Sequence, residues 1–229
     1  MLSVSGLRGL VDRSLTPQVV GRFAGAFGDW LRRLSPVPVV VLGRDSRPSG
    51  MGFESAVAAG LVDSGCLPVS VGVLSTPGVG VMAEHLRADG AMVVTASHNP
   101  IEWNGIKALV KLDGRVAGPL QSITDQIALG FEQKQFDPQY ASALTPKQNE
   151  SASSVHVSRV LEQVDLELIR QRRFRVVVDG VHGAGGQETA LLMEALGVDL
   201  VHLYGEPTGC FPHRPEPVEA NLKDLCGKV

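Results

Sequence analysis

A short polar segment near the middle of the chain contains side chains that can take part in chemistry. Residues 95–100 read T-A-S-H-N-P, and Lys107 follows a few positions later. The segment thus brings together a hydroxyl (Ser97), an imidazole (His98), a carboxamide (Asn99) and an amine. Such a set suits either a covalent nucleophile with neighbouring donors or a polar turn before a proline.

Apolar, β-prone runs lie on both sides of this segment, at 91–94 and 106–112. Their composition predicts two strands, so the polar residues are expected in the loop between them. Loops at the ends of buried strands are where sheet proteins usually carry binding and catalytic groups. The location therefore favours a functional role for the loop.

The residue types narrow the chemistry. Adjacent side chains in an extended chain face opposite sides, so a Ser97–His98 hydrolase pair is not expected, and no G-x-S-x-G elbow surrounds the serine. A serine that carries a phosphoryl group fits better, because His98, Asn99 and Lys107 would supply donors and a proton-transfer group. The alternative is a structural loop whose serine and asparagine only close a turn before Pro100.

Four motifs in order resemble those of the α-D-phosphohexomutase superfamily, which includes phosphoglucomutases, phosphomannomutases and phosphoglucosamine mutases. They are S-G-L-R-G at 5–9, G-R-D-S-R at 43–47, T-A-S-H-N-P with N-G-x-K at 95–107, and a glycine-rich segment at 177–186. The similarity runs from about residue 3 to the end of the chain, and four motifs in order are far more specific than one.

The resemblance implies a role for each matching residue. Ser97 would be the phosphoserine that gives its phosphoryl group to a hexose phosphate and recovers one from the hexose 1,6-bisphosphate intermediate. Lys107 matches the family's general acid/base, and Arg8 an arginine beside the phosphoserine, while His98 and Asn99 line the loop. A lysine can shuttle protons only if burial or nearby positive charge lowers its pKa.

The resemblance also implies a Mg²⁺ ion on the Ser97 phosphate. This ion needs about six oxygen ligands, usually including carboxylates, and the family supplies three aspartates from a D-G-D-x-D-R loop. That motif is absent, and no two aspartates of this chain lie within five positions of each other. The chain is therefore expected to be the N-terminal half of a mutase, with the other metal ligands and the C-terminal domains missing.

The G-R-D-S-R segment follows a predicted strand at 39–42 and allows two interpretations. Its arginines could support the catalytic loop from the neighbouring strand end, with Arg44 as the candidate. Alternatively, the segment could form an internal ion pair that fixes its own loop. We favour the ion pair for Asp45 and leave Arg44 and Arg47 open.

Composition limits the class of protein. A formal net charge of −3 does not suggest a nucleic-acid or membrane-surface partner, and no apolar run approaches the roughly 18–20 residues needed to span a bilayer. Three cysteines without C-x-x-C spacing argue against a disulfide framework or zinc site. We expect a cytoplasmic protein, and the resemblance implies that its partner is a hexose phosphate.

The predicted elements alternate between strand and helix, which favours an α/β fold with helices on both faces of the sheet. We predict two three-layer α/β/α domains with mostly parallel mixed sheets, the second truncated. Their ranges are 1–133 and 155–229, with a linker at 134–154. One predicted helix begins at 16, and the others cover 51–64, 75–88, 155–171 and 187–196. The predicted strands also include 67–73, 174–178 and 199–203.

The glycine-rich segment 180–186 lies between a predicted strand and helix, as a dinucleotide-binding turn would. Its spacing is G-x-x-G-x-G-G and not G-x-G-x-x-G, and no acidic residue ends the next strand. A tight structural turn is the better interpretation, with His182 as part of it. Four other histidines lack ligand spacing and are expected to be ordinary surface or helix residues: His85, His156, His202 and His213.

The favoured hypothesis is a phosphohexomutase fragment whose complete enzyme moves a phosphoryl group between the 1 and 6 positions of a hexose phosphate. This chain alone is expected to be inactive. One alternative is a non-catalytic binding or scaffold protein derived from a truncated mutase. Another is a dinucleotide-binding oxidoreductase that uses the turn at 180–186.

Overall fold

The computed structural model describes residues 2–3, 6–136, 147–148 and 151–229. Ser5 of the first motif and most of the predicted linker 134–154 lie outside the described residues. No helix in the described part of the chain combines the length and apolarity that crossing a bilayer requires.

The larger sheet has its strands in the order β1-β2-β6-β5-β3-β4-β8, with β7 paired to β6. These strands are β1 (Leu2–Ser3), β2 (Gly6–Leu10), β3 (Val39–Arg44), β4 (Leu67–Val73), β5 (Gly90–Val94), β6 (Trp103–Leu112), β7 (Arg115–Ala117) and β8 (Lys147–Gln148). The last of them falls within the predicted linker and pairs with β4. That part of the linker therefore extends the first sheet.

Helices cover this sheet on both faces. One core cluster joins the sheet to α1 (Pro17–Leu31), α2 (Gly50–Asp63) and α4 (Gln121–Gln133). The other joins its opposite face to α3 (Thr76–His85) and the start of α5 (Ala152–Leu161). The predicted three-layer α/β/α arrangement is confirmed.

The first sheet is mixed, as predicted, but parallel order is limited to one part of it. The described parallel pairings are β3–β4, β3–β5 and β4–β8, whereas β1–β2, β2–β6, β5–β6 and β6–β7 are antiparallel. A parallel crossover needs about a dozen or more residues. The connection 95–102 between β5 and β6 is too short for one, so β6 turns back antiparallel beside β5.

Helices α1 and α2 pack with their backbones almost in contact. A Cβ atom added to Gly60 would lie 2.2 Å from the carbonyl oxygen of Gly21, so no side chain fits there without a shift. In contrast, a Cβ atom on Gly52, in the same α2, would meet nothing within 4 Å. The close approach explains the small residues on the facing sides of the two helices.

The second unit is built on β9 (Arg175–Asp179) and β10 (Asp199–Leu203), which pair in parallel. Helix α7 (Gly186–Leu196) connects them, and α6 (Leu166–Arg172), a 3₁₀ turn (Glu219–Asn221) and α8 (Lys223–Cys226) complete the unit. The predicted single helix at 155–171 is wrong, because α5 ends at Leu161 and Asp165 starts α6. The Asp165 carboxylate accepts the Leu168 N–H at 2.9 Å, an N-cap contact that interrupts the helical pattern.

A buried carboxylate joins the two units. Glu188 in α7 accepts hydrogen bonds from the Ser75 N–H at 2.9 Å and the Ser75 hydroxyl at 3.0 Å. It also pairs with the Nδ1 atom of His156 in α5. His156 lies in a helix, as expected, and it also takes part in this contact between α3, α5 and α7.

Candidate active site

The polar segment forms the loop between β5 and β6, as predicted. Ser97 lies near its start in a left-handed conformation, with φ 58°. Its N–H donates to the Thr95 hydroxyl at 2.9 Å, and its own side chain is exposed. Thr95 therefore holds the backbone of Ser97 while the Ser97 hydroxyl stays accessible.

Ser97 and His98 do not face opposite sides, because Ser97 is not extended. The Ser97 Oγ and His98 Nδ1 atoms are 3.4 Å apart, and the expectation of opposite faces is wrong for this reason. The distance is long for a hydrogen bond between a hydroxyl and an imidazole. It gives no support to a hydrolase in which His98 activates the serine.

A buried arginine holds the loop from inside. Arg47 is 1% exposed, and its guanidinium group donates to four backbone carbonyl groups. The acceptors are the carbonyl oxygens of Ser97 at 3.1 Å, Asn99 at 2.7 Å, Pro100 at 2.7 Å and Trp103 at 3.0 Å. Its Nε donates to Asp45 at 3.1 Å. An arginine has five N–H donors, so these contacts use all of them.

Asp45 connects this arginine with the start of the loop. One carboxylate oxygen accepts from the Thr95 hydroxyl at 2.7 Å and from Arg47 Nε, and the other accepts from the Arg47 backbone N–H at 3.1 Å. The predicted internal ion pair at Asp45 is confirmed. Thr95, at the start of the loop, and Arg47, which binds the loop carbonyl groups, thus donate to the same carboxylate.

The Arg44 side chain, whose role the sequence left open, contacts the helix that covers the sheet. Its Nε donates to Glu54 in α2 at 3.1 Å, and one of its terminal nitrogens donates to the Asp45 carbonyl oxygen at 3.3 Å. Arg44 is the last residue of β3 and still follows the strand, so its side chain meets the covering helix. Arg47, beyond the turn, is the residue that reaches the loop.

Lys107 and Arg8 lie on neighbouring strands. Arg8 in β2 is paired with Gly105 in β6, so Arg8 and Lys107 fall on the same face of the sheet, two positions apart. Burial lowers the pKa of Lys107, the charge of Arg8 lowers it further, and Asp45 opposes the shift. Asp45 is therefore close enough to influence the charge of Lys107, and it is also bound to the loop.

We expect the change Arg8→Gln to raise the pKa of Lys107 toward its usual value, because the second cause of the depression is removed while burial remains. The pKa is measured from the ¹³Cε chemical shift of Lys107 during a pH titration. The change Arg13→Gln, at an exposed position, is the control and should leave that pKa unchanged. An unchanged pKa in Arg8→Gln would show that burial alone sets it.

A cleft of about 320 Å³ opens beside the loop. One wall is Pro100, Ile101 and Glu102, and the other comes from the second unit: Phe211, His213, Arg214 and Pro215. Its volume is at the lower end of the range for small-molecule sites.

His213 is held by an acidic partner and is not an ordinary surface residue as expected. Its Nε2 atom lies 2.9 Å from a carboxylate oxygen of Asp179, at the end of β9. Burial alone would lower the pKa of His213, but hydrogen bonds to the Arg214 carbonyl and Asp179, with the charges of Asp179 and Asp224, raise it overall. The pairing fixes the second wall of the cleft to its strand.

The glycine-rich segment is a strand-to-helix turn, located between β9 and α7. His182 within it has φ 52°, and its Nδ1 lies 2.7 Å from the carbonyl oxygen of Glu206. The His182 carbonyl accepts the Ser46 hydroxyl at 2.7 Å and the Gly209 N–H at 3.1 Å. The turn thus contacts the G-R-D-S-R segment directly.

The residues that the structure describes do not form a metal site. The described part of the chain contains no group of three or more His, Cys, Asp or Glu side chains that could hold an ion. Both oxygens of the Asp45 carboxylate, which is bound to the start of the loop, already accept hydrogen bonds. A Mg²⁺ ion would need ligands that these residues do not supply, so we derive no step through it.

The chain was compared with known proteins. Residues 2–136 match the family profile "Phosphoglucomutase/phosphomannomutase, alpha/beta/alpha domain I", and residues 154–229 match the profile for domain II of that family. A phosphoglucomutase/phosphomannomutase of Thermococcus kodakarensis is 36% identical over 220 residues, which is 95% of this chain and 48% of the relative. A phosphoglucosamine/phosphogalactosamine mutase of Sulfurisphaera tokodaii is 30% identical over 232 residues, 100% of this chain and 50% of the relative.

Solved structures agree with these matches. A phosphoglucomutase/phosphomannomutase family protein of Burkholderia thailandensis has a TM-score of 0.76 and 29% identity, and the match covers 100% of this chain and 50% of that one. A Thermus thermophilus structure has a TM-score of 0.86 at 23% identity and covers 100% of this chain and 51% of its own, which shows the fold alone. The chain spans about half the length of the curated relatives it matches.

Proposed function

Because this chain belongs to the phosphoglucomutase/phosphomannomutase family and matches its first two domains, we propose that it forms the phosphoserine half of a phosphohexomutase. The complete enzyme transfers a phosphoryl group between the 1 and 6 positions of a hexose phosphate. Ser97 carries the group, and a hexose 1,6-bisphosphate is the intermediate and activator. The remaining domains complete the sugar and metal sites.

One observation carries the proposal: the Ser97 hydroxyl is exposed on a loop whose backbone is fixed at several points. Phosphoryl transfer depends mainly on positioning and on stabilising charge, with little covalent chemistry left for the protein. A fixed loop with an accessible hydroxyl beside a cleft suits that requirement. A loop that only closed a turn would not need a buried arginine bound to three of its carbonyl groups.

Lys107 is the proton-transfer group of the proposal. In the forward step a sugar hydroxyl attacks the phosphorus of phosphoserine 97 and Lys107 accepts the hydroxyl proton. The bond from phosphorus to Ser97 Oγ breaks, and this oxygen takes a proton from water. Burial and the Arg8 charge lower the pKa of this amine, which raises the fraction of neutral base near neutral pH. In the second step Ser97 Oγ gives its proton to water and attacks the other phosphoryl group of the bisphosphate. The bond from that phosphorus to the sugar oxygen breaks, and Lys107 returns its proton to the sugar oxygen.

A cytoplasmic location is part of the proposal. It rests on the three free cysteines, none of which forms a disulfide, and on a substrate class typical of the cell interior. Cys66 is buried, and burial raises the pKa of its thiol to about 11, so it is poorly reactive.

The proposal is tested by supplying the missing half. We expect the 229-residue chain alone to show no appreciable conversion of hexose 1-phosphates to 6-phosphates, because positioning groups and metal ligands each contribute several kcal/mol. The same chain joined to the second half of the Thermococcus kodakarensis relative should convert at least one of the glucose, mannose or glucosamine phosphates. Product is measured by ³¹P NMR with hexose 1,6-bisphosphate and Mg²⁺ present.

A correctly folded fusion without turnover on any of these sugars would contradict the mutase proposal. Binding of the sugar phosphates without turnover would favour the non-catalytic binding role. Circular dichroism and the urea midpoint of the fusion serve as the folding control.

A further inference from the structure

We propose that Arg47 is a positioning residue that presents the Ser97 loop for phosphoryl transfer, and that the second unit sets its position through Phe211. The inference rests on the proposed function of Ser97 and adds a residue to which no role has been assigned. Arg47 does not contact the Ser97 hydroxyl. Its contacts are with the loop backbone, with Asp45 and with the second unit.

The peptide geometry shows what Arg47 does to the loop. In a trans peptide the C=O and the following N–H point in opposite directions, and the described peptide bonds contain no cis bond. The Ser97 carbonyl points to the buried guanidinium group, so the N–H of His98 points away from it. The Pro100 carbonyl has the same orientation and turns the N–H of Ile101 outward.

Outward N–H groups next to Ser97 suit a phosphoryl group on its hydroxyl. Phosphoserine adds about −1.5 to −2 charges and strong acceptor oxygens, and backbone N–H groups are effective donors to such oxygens. Free rotation of these peptides would lose the arrangement. By binding the Ser97 and Pro100 carbonyl groups, Arg47 fixes the direction of the His98 and Ile101 N–H groups before a phosphoryl group arrives.

The positive charge of Arg47 is not the main feature. Its Nε is paired with Asp45 at 3.1 Å, and its remaining donors are used by carbonyl groups. Little of its charge is therefore available to a phosphoryl group. A lysine at this position would keep the charge but offers three donors from one nitrogen, which cannot reach the same set of acceptors.

The second unit covers the same arginine. The Phe211 ring lies over the guanidinium group, 5.1 Å from its carbon to the ring centroid. The adjacent Ser46 donates to the His182 carbonyl at 2.7 Å, and a Cβ atom on Gly209 would lie 2.0 Å from the Ser46 carbonyl oxygen. The second unit thus packs directly against residues 46 and 47, and a shift of this unit would move the group that holds the Ser97 loop.

The test places phosphoserine at position 97 during translation of the 229-residue chain, so it does not depend on mutase activity. The ³¹P chemical shift is compared with that of a free phosphoserine peptide of sequence 94–101. We expect a displaced resonance in the unaltered chain. Both Arg47→Met and Arg47→Lys should move this resonance most of the way to the peptide value. Because lysine keeps the positive charge, a similar effect of the two changes would show that the geometry of the guanidinium group matters and its charge does not.

Arg22→Met is the matched control. Arg22 also donates to two backbone carbonyl oxygens, those of Phe131 at 2.8 Å and Lys134 at 3.0 Å, and lies 4.9 Å from a phenylalanine ring centroid, but in the contact of α1 with α4. Its loss should leave the ³¹P shift unchanged.

Hydrogen exchange gives the second measurement. The amides of 95–104 should exchange about tenfold faster in Arg47→Met, while those of α1 keep their protection.

An unchanged ³¹P shift and unchanged loop exchange in a folded Arg47 variant would overturn the inference, whatever the fusion enzyme does. If the fusion enzyme is inactive but the loop responds as expected, the proposed function fails and the structural effect of Arg47 stands. Should Arg47→Met unfold the chain, Phe211→Leu decides the matter. It should move the resonance in the same direction by a smaller amount, and no movement would overturn the inference.

Discussion

Replacing Ser97 with alanine should abolish turnover in the fusion enzyme, with a loss of roughly four or more powers of ten, as for removal of a covalent nucleophile. Alanine lacks the oxygen that accepts the phosphoryl group. Intact-mass analysis after incubation with hexose 1,6-bisphosphate should show the added phosphate on the serine protein only.

The fold should be unaffected by this change. The Ser97 side chain is exposed and its hydroxyl makes only a long contact with His98, so the free energy of unfolding should change by no more than about 0.5 kcal/mol. Ser55→Ala is the matched control, because Ser55 donates to a backbone carbonyl within α2. It should keep full turnover. Retained turnover in Ser97→Ala, or a phosphate found on another serine, would show that the mechanism proposed here is wrong.

The change Gly60→Ala should destabilise the first unit by about 3 kcal/mol. The added methyl group would meet the Gly21 carbonyl oxygen at 2.2 Å, and this obstacle is backbone, which cannot rotate away as a side chain can. Helices α1 and α2 would have to separate, and both belong to the core cluster on that face of the sheet. Urea unfolding followed by circular dichroism measures the effect.

Gly52→Ala provides the comparison within α2. This glycine is exposed, and a Cβ atom there meets nothing within 4 Å, so the gain in helix propensity should stabilise the chain by up to about 1 kcal/mol. Opposite signs for the two substitutions are the expected result. If both were stabilising, the two helix backbones could not be in close contact in solution.

Sequence patterns predicted helices and strands well where the spacing of apolar residues agreed with the turn-forming residues at the ends of the element. The strands at 67–73 and 199–203 have the predicted limits. The prediction of one helix at 155–171 was wrong because the polar stretch between α5 and α6 continues a helical pattern. The capping role of Asp165, which starts α6, is visible only in its hydrogen bond. The antiparallel direction of β6 depends on the short preceding connection, which hydrophobic patterning does not report.

The candidate site was predictable only in part. Ser97 and its neighbours were found because they are consecutive, and Lys107 and Arg8 because they match family motifs; their roles stay predictions. Arg47 was left open because its acceptors are backbone carbonyl groups about 50 residues away, and carbonyl groups carry no sequence signal. The pairing of His213 with Asp179 was missed for a similar reason, since the two residues are brought together by the fold of the second unit.

The pairing of β2 with β6 has a consequence for synthesis of the protein on the ribosome. Arg8 is paired with Gly105, so β2 has no place in the sheet until roughly 100 further residues have been made, and such long-range pairing is slow to form. At about 5–20 residues per second, the N-terminal strand waits for roughly 5 to 20 seconds after its own translation. During that interval Arg8 is separated from Lys107. The free edge of the β1–β2 pair can bind chaperones or strands of other nascent chains.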